Sequence, residues 1–253
     1  MTDLRHAGFF HLSIAAQIDP IDLLESALDE SGLASLFGEA LLILPEAFNI
    51  VGEYYGKVSC PPDPNIEARL KEISTRRGLC FVAGLVNCEG CPYSEAVLID
   101  GDDRKVLTRK TLTDRSRCYE VFMQPCDEII LHRGLRLGAL MCMDAAEGDN
   151  AAEKATQKKR HDAIRSEFAK WSETKLLCVP ARFAASSPVP VARSWNQNKL
   201  SIIIANKGSA TYPSVIHLDN GQLCIAPGNC KLQLQYPSRR PFIKEIGRFN
   251  APG

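Results

Sequence analysis

The sequence predicts one α/β domain built on mixed sheets, and three observations carry that expectation. Short continuous apolar runs at residues 41–45 (LLILP), 79–86 (LCFVAGLV) and 200–206 (LSIIIAN) have the length and composition of strands covered on both faces. Helical stretches alternate with them, as at 64–77, where Ile66, Leu70 and Ile73 recur at helical spacing. Hairpin signals interrupt the alternation, which an all-parallel sheet would not allow.

In chain order, a first strand is expected at 12–16. A helix then runs from 21 to about 37, opened by Asp19-Pro20, with Asp22, Glu25, Asp29 and Glu30 on its polar side. The strand at 41–45, the helix at 64–77 with its basic end, and the strand at 79–86 follow. EAVLID and RKVLTRK flank the turn DGDD as a hairpin. The apolar run LRLGALMCMD, at 135–144, ends in a cysteine, a methionine and an aspartate. Beyond it come a charged helix at 151–172, a strand at 175–180, the strand at 200–206, and a hairpin at 215–226 on Asp219-Asn220-Gly221. The tail from 236 is rich in Pro, Arg and Gly and is expected on a surface or against a partner subunit. No repeat or low-complexity linker divides the chain, so residues 1–253 read as one domain.

Composition narrows the function classes. Lys+Arg and Asp+Glu balance at 30 each, so no global field draws in a polyanion, and nucleic acid is not the expected partner. Lys158-Lys159-Arg160, among Glu153, Lys154, Gln157 and Asp162, reads as a solvated helix face. No apolar stretch approaches the roughly 20 residues that cross a bilayer. The opening, with Asp3, a single Arg5, and His11 and Ser13 breaking the apolar part, makes a poor signal peptide. Ten cysteines are therefore expected as reduced thiols in a cytoplasm. Cys88-x-x-Cys91 and the pair Cys224 and Cys230 lack a second pair at matching spacing, so neither a metal nor another cofactor is expected.

Three polar residues sit just past apolar runs: Glu46 in LLILPEAFN, Lys110 in VLTRKTLTD and Cys142 in LGALMCMDAA. Residues at the ends of a rigid sheet are well placed for chemistry. A thiol, a carboxylate and an ammonium suit acyl transfer. A free thiol has a pKa of about 8.5 and attacks as the thiolate, which Lys110 favours by charge and Glu46 by taking the proton. Lys110 and the backbone N–H of Met143 then face the oxyanion of the tetrahedral intermediate. Taken singly, each residue has an ordinary structural reading: Cys142 a core thiol, Lys110 a surface lysine, Glu46 a strand-end charge. None of His6, His11, His132, His161 and His217 lies in a context that marks a base for a thiol.

The chain resembles the nitrilase superfamily, the carbon–nitrogen hydrolases, from about residue 12 to 236. Pro45-Glu46 matches the family's Pro-Glu after an apolar strand, Arg109-Lys110 its Arg-Lys after a hairpin, and Gly138, Cys142 and Asp144 its Gly-x-x-x-Cys-x-Asp. VFMQPCDEI resembles the segment that usually reads Phe-x-Pro-Gly-Asp, with Cys126 for glycine, and Ala205-Asn206 matches a later Ala-Asn. The resemblance implies a four-layer α-β-β-α sandwich of two mixed sheets and a Glu–Lys–Cys triad. It also implies a second glutamate that positions the lysine and substrate, for which Glu120 is the match. Cys142-Met143-Asp144 is similar to the amidase-like members, which read Cys-x-Asp. That implies hydrolysis of a small amide through a thioester, with N-carbamoyl or nitrile hydrolysis as alternatives on the same triad. The family habit implies a homodimer or larger homo-oligomer.

Two departures accompany the match. AAEGDNAAEKATQKKRHDAIRS stands where relatives often read Arg-Phe-Pro-Glu, and Asn196 replaces a usual glutamate. The altered loop leaves open a silent, nitrilase-fold binding or scaffold protein, and the ten cysteines leave open a thiol-redox or metal protein. Closeness in sequence to the triad nominates Phe48, Tyr54, Arg115, Arg117, Ala145 and Arg182 for the pocket. An arginine there would suit a substrate carboxylate.

Overall fold

The computed structural model describes residues 3–4, 6–13, 19–30, 38–51, 62–87, 93–111, 127–148, 150–183, 187–196, 200–208 and 214–218, and the backbone of 223–226, 231–235 and 244–248. Two sheets stack between two helical layers. The first contains β1 (His6–Phe10), β3 (Ala40–Ile43), β4 (Cys80–Asn87), β5 (Tyr93–Asp100), β6 (Asp103–Arg109), β13 (Lys231–Gln235) and β14 (Lys244–Arg248), in the order β14-β13-β1-β3-β4-β5-β6. The second orders β12 (Leu223–Ala226), β11 (Ser214–His217), β10 (Ser201–Gly208), β9 (Thr174–Ala181), β8 (Leu135–Ala139) and β7 (Ile130–His132), with the two-residue β2 (Leu12–Ser13) joined to β10.

Each sheet has a parallel centre, β1-β3-β4 in one and β10-β9-β8 in the other, with antiparallel strands outside it. The side-chain period of two divides each strand between two apolar clusters. From β4, Phe81, Ala83 and Leu85 face helices α1 (Pro20–Glu30) and α2 (Asn65–Arg77), while Cys80 and Val82 enter the layer between the sheets. On the far side, Ile164 and Phe168 of α3 (Ala151–Ala169) and Ala192 and Trp195 of α4 (Val189–Asn196) cover the second sheet. This is the expected four-layer α-β-β-α sandwich.

Local chemistry explains the helix ends. Gly78 closes α2 at φ 61°, a left-handed cap that a side chain resists. Asn150 opens α3 by accepting the N–H of Glu153 at 3.0 Å. The acidic face of α1 meets the basic face of α2: Arg69 bonds Asp19 and Asp22 at 2.5 Å each, Arg76 pairs with Glu25, and Arg77 with Asp29. Such exposed pairs contribute at most about 1 kcal/mol each and serve mainly to orient the helices.

Several expectations need correction. The first strand is β1, with Phe9 and Phe10 fully buried on opposite faces; of the strand expected at 12–16, Leu12–Ser13 forms β2 and 14–16 lie outside the described residues. Leu12 and Ser13 instead cross to the second sheet. The run 135–144 is not one strand: β8 stops at Ala139, and Cys142–Ala145 forms a 3-10 turn. Apolar composition alone does not distinguish a buried strand from the buried turn that follows it. α4 is an additional helix, too short for its two inward residues to announce a period. Part of the tail pairs with β13 as β14. The solvated-face reading of 158–160 holds for Lys158 and Lys159, but Arg160 is buried.

Gly84 sets how closely the sheets approach. A Cβ there would lie 2.7 Å from Glu46 Cα, 2.7 Å from Pro180 Cβ and 2.9 Å from the Pro45 carbonyl oxygen. Backbone and proline ring cannot rotate away, so Gly84→Ala is expected to destabilise the chain by about 2–3 kcal/mol and displace Glu46. Urea unfolding measures the first effect; an unchanged midpoint would show the contact to be slack.

Candidate active site

Glu46 and Cys142 follow the carboxyl ends of the parallel strands β3 and β8, where open α/β sheets place their ligands. Lys110 follows β6, and its backbone N–H donates to the Ser94 carbonyl at 2.9 Å. Lys110 Nζ donates to Glu46 Oε1 at 2.6 Å, and both side chains are buried, at 3% and 1% exposure. A buried pair of this kind is costly to assemble, because two desolvation penalties stand against one attraction. Its presence is not explained by folding stability alone.

Cys142 completes the cluster. Its backbone sits at φ 42°, a left-handed conformation that non-glycine residues seldom adopt and that clusters at functional sites. The Arg182 N–H donates to Cys142 Sγ at 3.4 Å, and the charges of Glu46 and Lys110 both act on the thiol. Burial pushes the thiol up to about 12, helped by the Glu46 charge and opposed by Lys110 and the Arg182 N–H. At neutral pH the sulfur is therefore a protonated thiol.

Further buried residues hold the cluster in place. Asp144, fully buried, accepts the Thr111 N–H at 2.8 Å and pairs with Arg160 Nη1 at 2.8 Å. Arg160 also donates to Asp127 through Nε at 2.6 Å and Nη2 at 2.7 Å, and to Thr111 Oγ1 at 2.7 Å and Thr108 Oγ1 at 3.0 Å. Burial works against the guanidinium charge, yet Asp127 and Asp144 raise its pKa above the ordinary arginine value. One guanidinium thus links α3, the Thr108–Thr111 end of β6 and the turn after Cys142. On the other side, Lys207 Nζ donates to the carbonyls of Ala47 at 3.2 Å and Ile50 at 2.6 Å, bracing the turn that carries Glu46. Trp195 Nε1–H donates to the Ala145 carbonyl at 3.0 Å, and His161 Nε2 lies 2.7 Å from the Asp144 carbonyl.

The structure thus brings Glu46, Lys110 and Cys142 together. Met143 lies in the 3-10 turn, half-buried against the outer cluster. Ala145 ends that turn, and Arg182 is buried beside the thiol. Phe48 is fully buried, edge-on to Phe10 at 6.3 Å and packed in the helix-side core. Glu120, Tyr54, Arg115 and Arg117 lie outside the described residues, as do Cys88 and Cys91. Asn196, where a glutamate was expected, donates to the Leu218 carbonyl. Asp127 is the aspartate of the matched VFMQPCDEI segment, while sequence reasoning missed Gly84, Arg160 and Lys207. Only Lys207 left a signal, a charge inside the apolar strand SIIIANKG.

No protein-family model matches this chain, and no curated protein matches it. Solved structures do. An amidase from Nesterenkonia sp. superposes with a TM-score of 0.70 at 20% identity, covering 92% of this chain and 90% of that one. A cysteine-to-alanine mutant of that amidase in complex with butyramide gives 0.71 at 20% identity over 92% and 90%. A glutamate-to-leucine mutant gives 0.68 at 20% identity over the same shares, and shows covalent addition of the acetamide moiety of fluoroacetamide at the active site cysteine. That amidase is described as coming from the nitrilase superfamily. The chain therefore has the fold of the nitrilase-superfamily amidases.

Proposed function

We propose that this protein is an amidase that hydrolyses a small linear amide through a thioester on Cys142. The observation that carries the reading is the buried Glu46–Lys110 pair set against a thiol held at positive φ. Glu46 takes the thiol proton as sulfur attacks the amide carbonyl, so no standing thiolate is required. Lys110 Nζ and the Met143 N–H stabilise the oxyanion; a single such donor is worth about 3 kcal/mol in other enzymes. Glu46 then gives its proton to the departing nitrogen, which leaves as ammonia or an amine. The same carboxylate deprotonates a water that attacks the thioester, and the acid product leaves as the thiol recovers its proton. Glu120, as the second glutamate, positions Lys110 in this reading.

The substrate in this reading carries a carboxylate, held by an arginine among Arg115, Arg117 and Arg182. Burial of Arg182 beside the sulfur supports it. The reading also includes a homo-oligomer and a cytoplasmic setting, and the free thiols of Cys80, Cys142 and Cys178 suit a reducing compartment. Among the described residues no helix is long and apolar enough to cross a membrane.

Intact-mass spectrometry after incubation with mixed amides tests the proposal. An acyl adduct on Cys142, absent from Cys142→Ala along with ammonia release, is the expected result. Equal ammonia release by both proteins would overturn it. Faster turnover of neutral aliphatic amides than of carboxylate-bearing ones would remove the arginine assignment.

A further inference from the structure

A second cluster of chemically capable side chains lies at the other end of the sandwich. Cys80 pairs in register with Leu41 near the start of β3, and His132 with Leu135 at the start of β8. Glu46 and Cys142 follow the far ends of those same strands. Asp100, the last residue of β5, pairs with Cys80 across β4 and β5. His132 comes from β7 in the other sheet.

Cys80 Sγ lies 3.7 Å from His132 Nε2, and that nitrogen lies 3.2 Å from Asp100 Oδ2. All three ligand atoms fall within 4.8 Å of one another. Tetrahedral zinc, with bonds of about 2.0–2.3 Å, separates neighbouring ligand atoms by about 3.3–3.6 Å. The two measured edges bracket that range. We infer that Cys80, Asp100 and His132 form a binding site for a divalent zinc-type cation that staples the two sheets together, separate from the proposed catalytic cluster.

The donor set selects the class of ion. One thiolate, one imidazole and one carboxylate suit zinc or cobalt, whereas magnesium and calcium take oxygen ligands. Arg133 pairs with Asp100 through Oδ1, which leaves Oδ2 turned toward His132 and fixes the carboxylate's orientation. The side chains of His132 and Asp100 are 17% and 11% exposed, so the cluster touches solvent, which can supply water as a fourth ligand. Burial lowers the His132 pKa, with Arg133 acting in the same direction and Asp100 and Asp103 against it, so the ring is available as a neutral ligand. The Cys80 thiol, pushed up to about 12 first by burial and then by Asp100, is protonated without metal. Binding forms the metal–sulfur bond and releases that proton to solvent.

Cobalt(II) added to the chelator-treated full chain tests the site, in a Cys142→Ala background that removes the sulfur of the proposed nucleophile. The expected result is one equivalent bound, a thiolate-to-cobalt charge-transfer band, loss of cobalt on adding zinc, and a thermal midpoint several degrees higher with either ion. Cys80→Ser should abolish the band, and His132→Gln should weaken binding at least tenfold. Cys88→Ser/Cys91→Ser should leave the band intact. If Cys80→Ser fails to fold, judged by circular dichroism, the half-buried His132→Gln decides. Absence of stoichiometric binding, a band that survives in Cys80→Ser, or an unchanged cobalt affinity in folded His132→Gln would overturn the inference. None of these readouts depends on amide turnover, so this site and the proposed amidase stand or fall separately.

Discussion

Replacing Glu46 by leucine is expected to lower kcat on any amide the protein hydrolyses by about 10³–10⁴, and to destabilise the fold by about 3–5 kcal/mol. The first figure is what a general base contributes where it serves both acylation and deacylation. The second follows from leaving the Lys110 ammonium, 3% exposed, without its carboxylate partner. A double substitution separates the two effects. Glu46→Leu/Lys110→Met removes both charges, so it should recover most of the lost stability in urea unfolding while ammonia release stays at the single variant's level. Activity that returned with stability would show that Glu46 acts by folding the site and not by moving a proton.

Arg160→Met is expected to destabilise by about 3 kcal/mol or more, because Asp144 at 0% exposure and Asp127 lose the cation between them. Arg160 contacts Asp127, Asp144, Thr108, Thr111 and the Arg109 carbonyl. Its effect on turnover should come through position: a fall of at least tenfold in kcat, with KM changing less, as the Thr111 segment and the turn after Cys142 drift apart. Arg160→Lys keeps the charge but loses the fork that reaches Asp127, Asp144, Thr108 and Thr111 at once, so it should rescue stability only in part. An unfolding free energy within about 0.5 kcal/mol of the parent's would show the network to be ornamental.

These two variants mark how far sequence reasoning reaches. The strands at 41–45, 79–86, 175–180 and 200–206 were legible because short apolar runs bounded by turn residues have few other uses in a chain of this size. The α2 helix was legible from Ile66, Leu70 and Ile73, and the β5–β6 hairpin from its DGDD turn. β1 was less so: a strand buried on both faces shows no alternation of polarity, and His-Ala-Gly precedes its two phenylalanines. Glu46, Lys110 and Cys142 were nominated by position at strand ends and by a resemblance, and the 2.6 Å Lys110–Glu46 pair then joined two residues that no local pattern connects.

Arg160 shows the opposite case. In sequence it is the third member of a basic run on a charged helix, indistinguishable from Lys158 and Lys159 by composition. Only the rotation of α3 against the second sheet turns it inward while its neighbours face solvent. Lys207 and Gly84 likewise take their meaning from what lies across the inter-sheet space.

By itself, then, the sequence determined the kinds of element, their order and the chemical types available at the strand ends, because those follow from periodicity and turn chemistry within a few residues. Tertiary structure alone decided which charges are buried, that one guanidinium braces the turn after Cys142, and that Cys80, Asp100 and His132 converge. Burial and proximity are properties of the packed sheets, and no stretch of chain carries them alone.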